Sequence, residues 1–173
     1  MSVIFIDGNE LRAAEIRQVI PGIELVVEAL QTGFATSAPE PEHKARDKVL
    51  AHAVSAACFA EAVDLTSMDG RSLRLELDSE NPNRFCKHWR ETPVQMQVRI
   101  AVRRAGASDI SVVAATWQGC IANEPAGPLV LGWDRLFYPE GMKRTVAQLT
   151  AAGEVTDLRR DAYVRVATAL GLA

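Results

Sequence analysis

The sequence predicts a mixed α/β fold in which long strands are flanked by helices. Three features carry that expectation. A wholly apolar run, Val3–Ile6, gives way to a turn and then to helical spacing. Residues 94–102 alternate apolar and polar over a long stretch, and two helical segments end the chain. No linker-like tract separates these parts, so residues 1–173 read as a single two-lobed domain.

Val3-Ile4-Phe5-Ile6 suits a strand buried on both faces, as in a parallel or mixed sheet. Asp7-Gly8-Asn9 forms a turn. Leu11, Ala14, Ile16 and Val19 then follow one helix face until Pro21-Gly22 stops it. Ile23–Leu30 is a second strand, and Gln31–Pro41, rich in Thr, Ser, Ala and Pro, is a loop. Glu42–Ala57 has helical composition, and Cys58–Met68 reads as a strand with acids set into it. Asp69-Gly70 is a turn signal, and the alternation of Ser72–Leu77 predicts another strand.

Asn81-Pro82-Asn83 opens a loop or short helix reaching Trp89. Val94, Met96, Val98, Ile100 and Val102 form the apolar side of a half-buried strand. Across Gly106-Ala107-Ser108-Asp109, Ile110–Trp117 is its antiparallel partner. Glu124–Pro139 is punctuated by Gly and Pro, and helices are expected at Thr145–Ala151 and Asp157–Leu170.

Hydrophobic residues make up 48% of the chain and charged residues 24%, as in an ordinary globular protein. A net charge of −3 gives no electrostatic case for binding a nucleic-acid polymer, although a few local cations suffice for a small anion. Cys58, Cys86 and Cys120 are widely spaced and form neither a zinc pattern nor a disulfide framework, which fits a cytoplasmic location. The first residues lack a basic segment followed by a long apolar one, so no signal peptide is read, and no run approaches the roughly 18 apolar residues that span a bilayer. The histidines, His43, His52 and His88, offer no Ser/His/Asp or Cys/His arrangement.

Three places can carry chemistry. At Asp7-Gly8-Asn9-Glu10-Leu11-Arg12 a buried strand meets a helix N-terminus, whose backbone N–H groups favour anions. Arg12 can add a cation to a phosphate there; equally, Asn9 can serve as a helix cap with Arg12 in solvent. Glu61 and Asp64 interrupt an apolar strand. Such carboxylates either hold a hard cation such as Mg²⁺ or simply edge into water. Gly132-Trp133-Asp134 sets an aromatic plane beside a carboxylate. That pair suits stacking on a base and accepting from ring N–H groups, and it also suits a core Trp beside a turn Asp.

The C-terminal half resembles the inosine/xanthosine triphosphate pyrophosphatase family. The resemblance rests on Thr116–Gly127, on Gly132-Trp133-Asp134-Arg135-Leu136-Phe137, on Pro139-Glu140-Gly141 and on Arg144-Thr145-Val146-Ala147-Gln148-Leu149. From Glu124 to Leu149 the order and spacing of the family's G-F-G-[YW]-D-P-[IC]-F and K-T-x-A-E-L steps are kept without a gap. Asp7–Arg12 is similar to the family's T-x-N-x-x-K phosphate loop, whereas residues 31–94 align poorly.

The resemblance implies an elongated mixed sheet with flanking helices forming two lobes around a central cleft, usually in a homodimer. It implies Mg²⁺-dependent hydrolysis of deaminated purine nucleoside triphosphates to the monophosphate and pyrophosphate. It places Asn9 and Arg12 on phosphates, Trp133, Asp134 and Arg159 at the base, and Glu61, with Asp64 as its companion, on the metal and the attacking water. The chain also departs from the pattern. Asp7 stands at the loop threonine, Arg12 at the lysine and Leu131 at a phenylalanine. Glu61 fills the first position of the family's A-D-D step, and Ala62 falls on the second. Gly153 and Leu158 stand where a lysine and a histidine are expected, and Glu40 and Glu42 are the nearest candidates for a further metal-binding acid. These changes leave open a relative that binds a nucleotide or partner without turnover, or an enzyme for another phosphorylated substrate.

Overall fold

The computed structural model describes residues 2–30, 40–52 and 55–172. The fold is mixed α/β, built on a six-stranded sheet of order β2-β1-β3-β4-β5-β6 with flanking helices. The elements are β1 (Ser2–Ile6), α1 (Glu10–Val19), β2 (Glu24–Glu28), α2 (Pro41–Ala51), β3 (Ala57–Ser67), α3 (Arg74–Ser79), α4 (Pro82–Trp89), β4 (Pro93–Arg103), β5 (Ser111–Ile121), β6 (Phe137–Pro139), α5 (Val146–Ala151) and α6 (Asp157–Leu170). Two compact units divide the chain. No helix among the described residues is long and apolar enough to cross a membrane.

The first unit comprises Met1–Ala62, Val98–Ala115 and Asp157–Ala173. Its centre is β1, in which Val3, Ile4, Phe5 and Ile6 are all buried. A strand covered on both faces has no polar side to alternate with, which is why this run is continuously apolar. β1 pairs in parallel with β2 and with β3, and Phe5 and Phe59, opposite each other in register, stack at 4.8 Å. Ile4 and Ile6 share a core with Ala45 and Val49 of α2 and with Cys58, Ala60, Ala62 and Ala101. The chain leaves β1 through Asp7, at φ 54°, and through Gly8, where a Cβ would sit 2.3 Å from Cδ1 of Phe5. Only glycine permits that approach. α1 contacts α6 within the same unit.

The second unit comprises Val63–Gln97 and Thr116–Thr156. Its core includes Leu65, Leu73, Phe85, Val94, Met96, Ile121, Leu136, Phe137 and Val146. β6 lies antiparallel to β5, with Ile121 opposite Phe137. Asn81 caps α4, and Thr145 and Gln148 form a reciprocal capping box on α5.

Most expected elements form, with three differences. Residues 72–77 are not a strand: Ser72 makes an isolated bridge to Thr66, and α3 follows. The alternating leucines misled because only Leu73 is buried, while Leu75 is 80% exposed. The helix expected over Glu42–Ala57 ends at Ala51, and Ala57 already belongs to β3; the intervening alanine-rich run carries no stop signal. Within Glu124–Pro139 a 3-10 helical segment, Leu129–Leu136, precedes β6. The loop read at Gln31–Pro41 falls largely outside the described residues.

Candidate functional site

Glu61 is the focus of the first unit. It lies on β3 two residues past Phe59, so it projects to the same face as that ring. α1 and α6 bring arginines to it. Nη1 of Arg159 donates to Oε1 of Glu61 at 2.5 Å, and Nε of Arg12 stands 4.0 Å from the same oxygen. One helical turn beyond Arg159, the Tyr163 hydroxyl accepts from Nη1 of Arg159 at 3.3 Å and donates to Oε2 of Glu61 at 3.4 Å. The Arg159 side chain is 0% exposed and that of Glu61 11% exposed.

A second buried acid completes the cluster. Nη1 of Arg12 donates to Oε2 of Glu15, one turn along α1, and the other Glu15 oxygen, Oε1, is buried without a hydrogen-bond partner. Burial therefore pushes the Glu15 carboxyl above its ordinary value, even though Arg12 and Arg159 oppose the shift. Burial acts on Glu61 in the same direction, but Arg159, Arg12 and Lys48 together outweigh it and hold that carboxyl below its ordinary value. The Tyr163 phenol is raised by burial and by the negative charge of Glu61, so it stays protonated and available as a donor.

At the edge of this cluster Nζ of Lys48, from α2, pairs with Oδ2 of Asp7 at 2.7 Å and donates to the Glu61 carbonyl at 3.1 Å. Asn9 caps α1: its Oδ1 accepts from the Arg12 backbone N–H at 2.9 Å. The cap reading of Asn9 is thus realised, whereas a solvated Arg12 is not, because that side chain is buried in ion pairs. The arrangement holds an ionised carboxylate, slightly open to solvent, on a buried bed of cations beside a helix N-terminus. Chemically it can orient a water molecule at Glu61 and offer positive charge to an anion.

Trp133 and Asp134 belong to the second unit. Gly132 breaks the 3-10 segment with φ 48° and ψ −117°, a conformation that residues with a Cβ adopt only under strain. The Trp133 ring is half-buried and meets Phe85 edge to face at 6.4 Å, and Asp134 is buried. Asp64 is also buried in this unit, with Oδ1 accepting from the Leu65 N–H at 3.0 Å.

Within the first unit the structure brings Glu61, Arg12 and Arg159 together, and Asp64 belongs to the second unit. As placed, the acids do not fit a resident Mg²⁺. Glu61 is turned to Arg159, Glu15 to Arg12 and Asp7 to Lys48, and no group of three or more His, Cys, Asp or Glu that could hold a metal occurs among the described residues. Arg159, expected at the base, pairs directly with Glu61.

Sequence reasoning missed Glu15, Lys48 and Tyr163. The first had a signal, an acid one turn after Arg12 on a helix face that must be buried. The other two come from α2 and α6, and nothing local in those segments points to Glu61.

A family model described as the Ham1 family matches residues 3–166. The chain is 27% identical over 168 residues to a protein of Mycobacterium bovis named dITP/XTP pyrophosphatase, with 83% of this chain and 82% of that one covered. Among solved structures it resembles a HAM1 protein from Coxiella burnetii, with TM-score 0.68, 17% identity and full coverage of both chains. It also resembles the Staphylococcus aureus Ham1 protein, with TM-score 0.61, 16% identity and full coverage of both. These two likenesses establish the fold. Since the family match runs from Val3 in β1 to Val166 in α6 and so takes in parts of both units, the chain belongs to the Ham1 family.

Proposed function

We propose that this protein hydrolyses deaminated purine nucleoside triphosphates, of the ITP and XTP type, to the monophosphate and pyrophosphate. The observation that carries this reading is the Ham1 family match over residues 3–166. The relative named dITP/XTP pyrophosphatase, aligned over 83% of the chain, supports the choice of substrate class. In this reading Asn9 fixes the start of α1 so that its N–H groups face phosphate oxygens, and Arg12 and Lys48 add positive charge. Glu61 is kept ionised and orients the water that attacks phosphorus, with pyrophosphate as the leaving group. Trp133 and Asp134 are assigned to the base on the strength of the resemblance. Mg²⁺ is proposed to enter as the counter-ion of the triphosphate, since that ion keeps several waters and is usually held through substrate phosphates. The protein is proposed to act in the cytoplasm as a homodimer, which light scattering checks.

A pyrophosphate-release assay over a panel of nucleoside triphosphates with Mg²⁺ tests the reading. Turnover of ITP and XTP, lost in Glu61→Gln, is expected; no turnover on any nucleotide would sink it. The pairing of Glu61 with Arg159 favours one alternative, a relative that binds a nucleotide without hydrolysing it. Calorimetric titration separates the two, because tight binding with no product selects the alternative.

A further inference from the structure

We infer that Glu61 carries no divalent cation of its own and that the Arg159 guanidinium occupies the place such an ion would take, so that any Mg²⁺ reaches this site already bound to nucleotide. The clause on nucleotide rests on the pyrophosphatase reading; the first part does not.

Both oxygens of Glu61 already have partners. Oε1 accepts from Arg159 at 2.5 Å with Arg12 4.0 Å away, and Oε2 accepts from the Tyr163 hydroxyl at 3.4 Å. Mg²⁺ demands near-octahedral oxygen donors at about 2.0–2.1 Å, so an ion on Oε1 must displace the Arg159 guanidinium and one on Oε2 the Tyr163 hydroxyl. Arg159 has nowhere easy to go: its side chain is 0% exposed and its Nη1 is shared between Glu61 and Tyr163.

The acids beside it are committed as well: Glu15 is paired with Arg12 and Asp7 with Lys48. Charge leads to the same conclusion. Glu61, Glu15 and Asp7, when ionised, are balanced by Arg159, Arg12 and Lys48. Adding a dication to a neutral, largely buried cluster leaves two uncompensated charges, which burial penalises heavily. A triphosphate supplies the oxygen ligands and the negative charge that its own dication needs, so the ion does not have to be matched by Glu61.

The test is a Mn²⁺ titration of the nucleotide-free full chain, read by electron paramagnetic resonance of the free ion. The expected result is no saturable site into the low millimolar range. A one-to-one site that Glu61→Gln abolishes would overturn the inference. In Arg159→Met the acids are left in excess, and a Mn²⁺ site dependent on Glu61 is expected to emerge; a folded Arg159→Met chain that gains none would count against the guanidinium as the ion's substitute. If that variant does not fold, the wild-type titration decides alone. A further arm adds a nonhydrolysable inosine triphosphate analogue, which is expected to bring Mn²⁺ onto the protein in equal amount. Failure of that arm, with the nucleotide-free result as expected, refutes the nucleotide reading and leaves the metal-free Glu61 standing.

Discussion

Replacing Arg159 by Met removes the cation that neutralises Glu61 while keeping an apolar stem of similar length. Two features set the expected cost: the pair is 2.5 Å long, and its side chains are 0% and 11% exposed. Removing one partner of a buried pair costs about 3–5 kcal/mol, because the other charge stays buried and uncompensated. Arg12, 4.0 Å from the same oxygen, and Tyr163 remain to share the load, which places the expectation near the lower end, about 3 kcal/mol. With a urea slope of roughly 1–3 kcal/mol per molar, the unfolding midpoint should fall by about 1–3 M. Glu61→Gln tests the opposite side of the pair, and the double variant completes a cycle whose coupling is expected at about 0.5–3 kcal/mol. The reasoning fails if Arg159→Met costs under about 1 kcal/mol, the value of an exposed pair, or if the two substitutions are simply additive.

Because the Glu61 carboxyl is held below its ordinary value in the folded chain, its stabilising contribution is present above the unfolded value of about 4.5. That contribution is lost as pH falls through the lower folded value, so the thermal advantage of wild type over Glu61→Gln should shrink on acidification; an advantage that grows would refute the sign. Gly132→Ala meets no atom within 4 Å yet sits at φ 48°, so a purely conformational loss of about 1–3 kcal/mol is expected in urea denaturation. A neutral result there would show that the 3-10 break relaxes freely. Burial raises all three thiols, that of Cys86 to about 11, but Cys58 and Cys86 are buried and Cys120 is only half-buried and so more accessible. Alkylation near pH 8 should therefore modify Cys120 first and leave the other two intact until the chain unfolds, as mass spectrometry of partly labelled protein would show.

Where a segment's own chemistry decides its structure, the sequence was readable. The Val3–Ile6 run is apolar because β1 is covered on both faces, and the alternation from Val94 follows the pleat of β4. Residues 72–77 misled because alternation marks a strand only when a neighbour is there to pair with, and this segment makes a single bridge. The site divides along the same line. Asn9 as a cap is a local matter and was legible. The partnership of Glu61 with Arg159 spans 98 positions, and such a contact is fixed by how α6 packs, not by any motif. A buried carboxylate in an apolar strand announces that it needs a counter-charge, but it does not say whether a metal or an arginine supplies it.

The proposed reaction is hydrolysis between the α- and β-phosphates of a deaminated purine nucleoside triphosphate. Phosphorus NMR of the reaction with ITP and Mg²⁺ identifies both products at once. Inosine monophosphate and pyrophosphate should accumulate in equal amounts, with the reaction lost in Glu61→Gln. Unchanged ITP, or release of inorganic phosphate and inosine diphosphate, would contradict it.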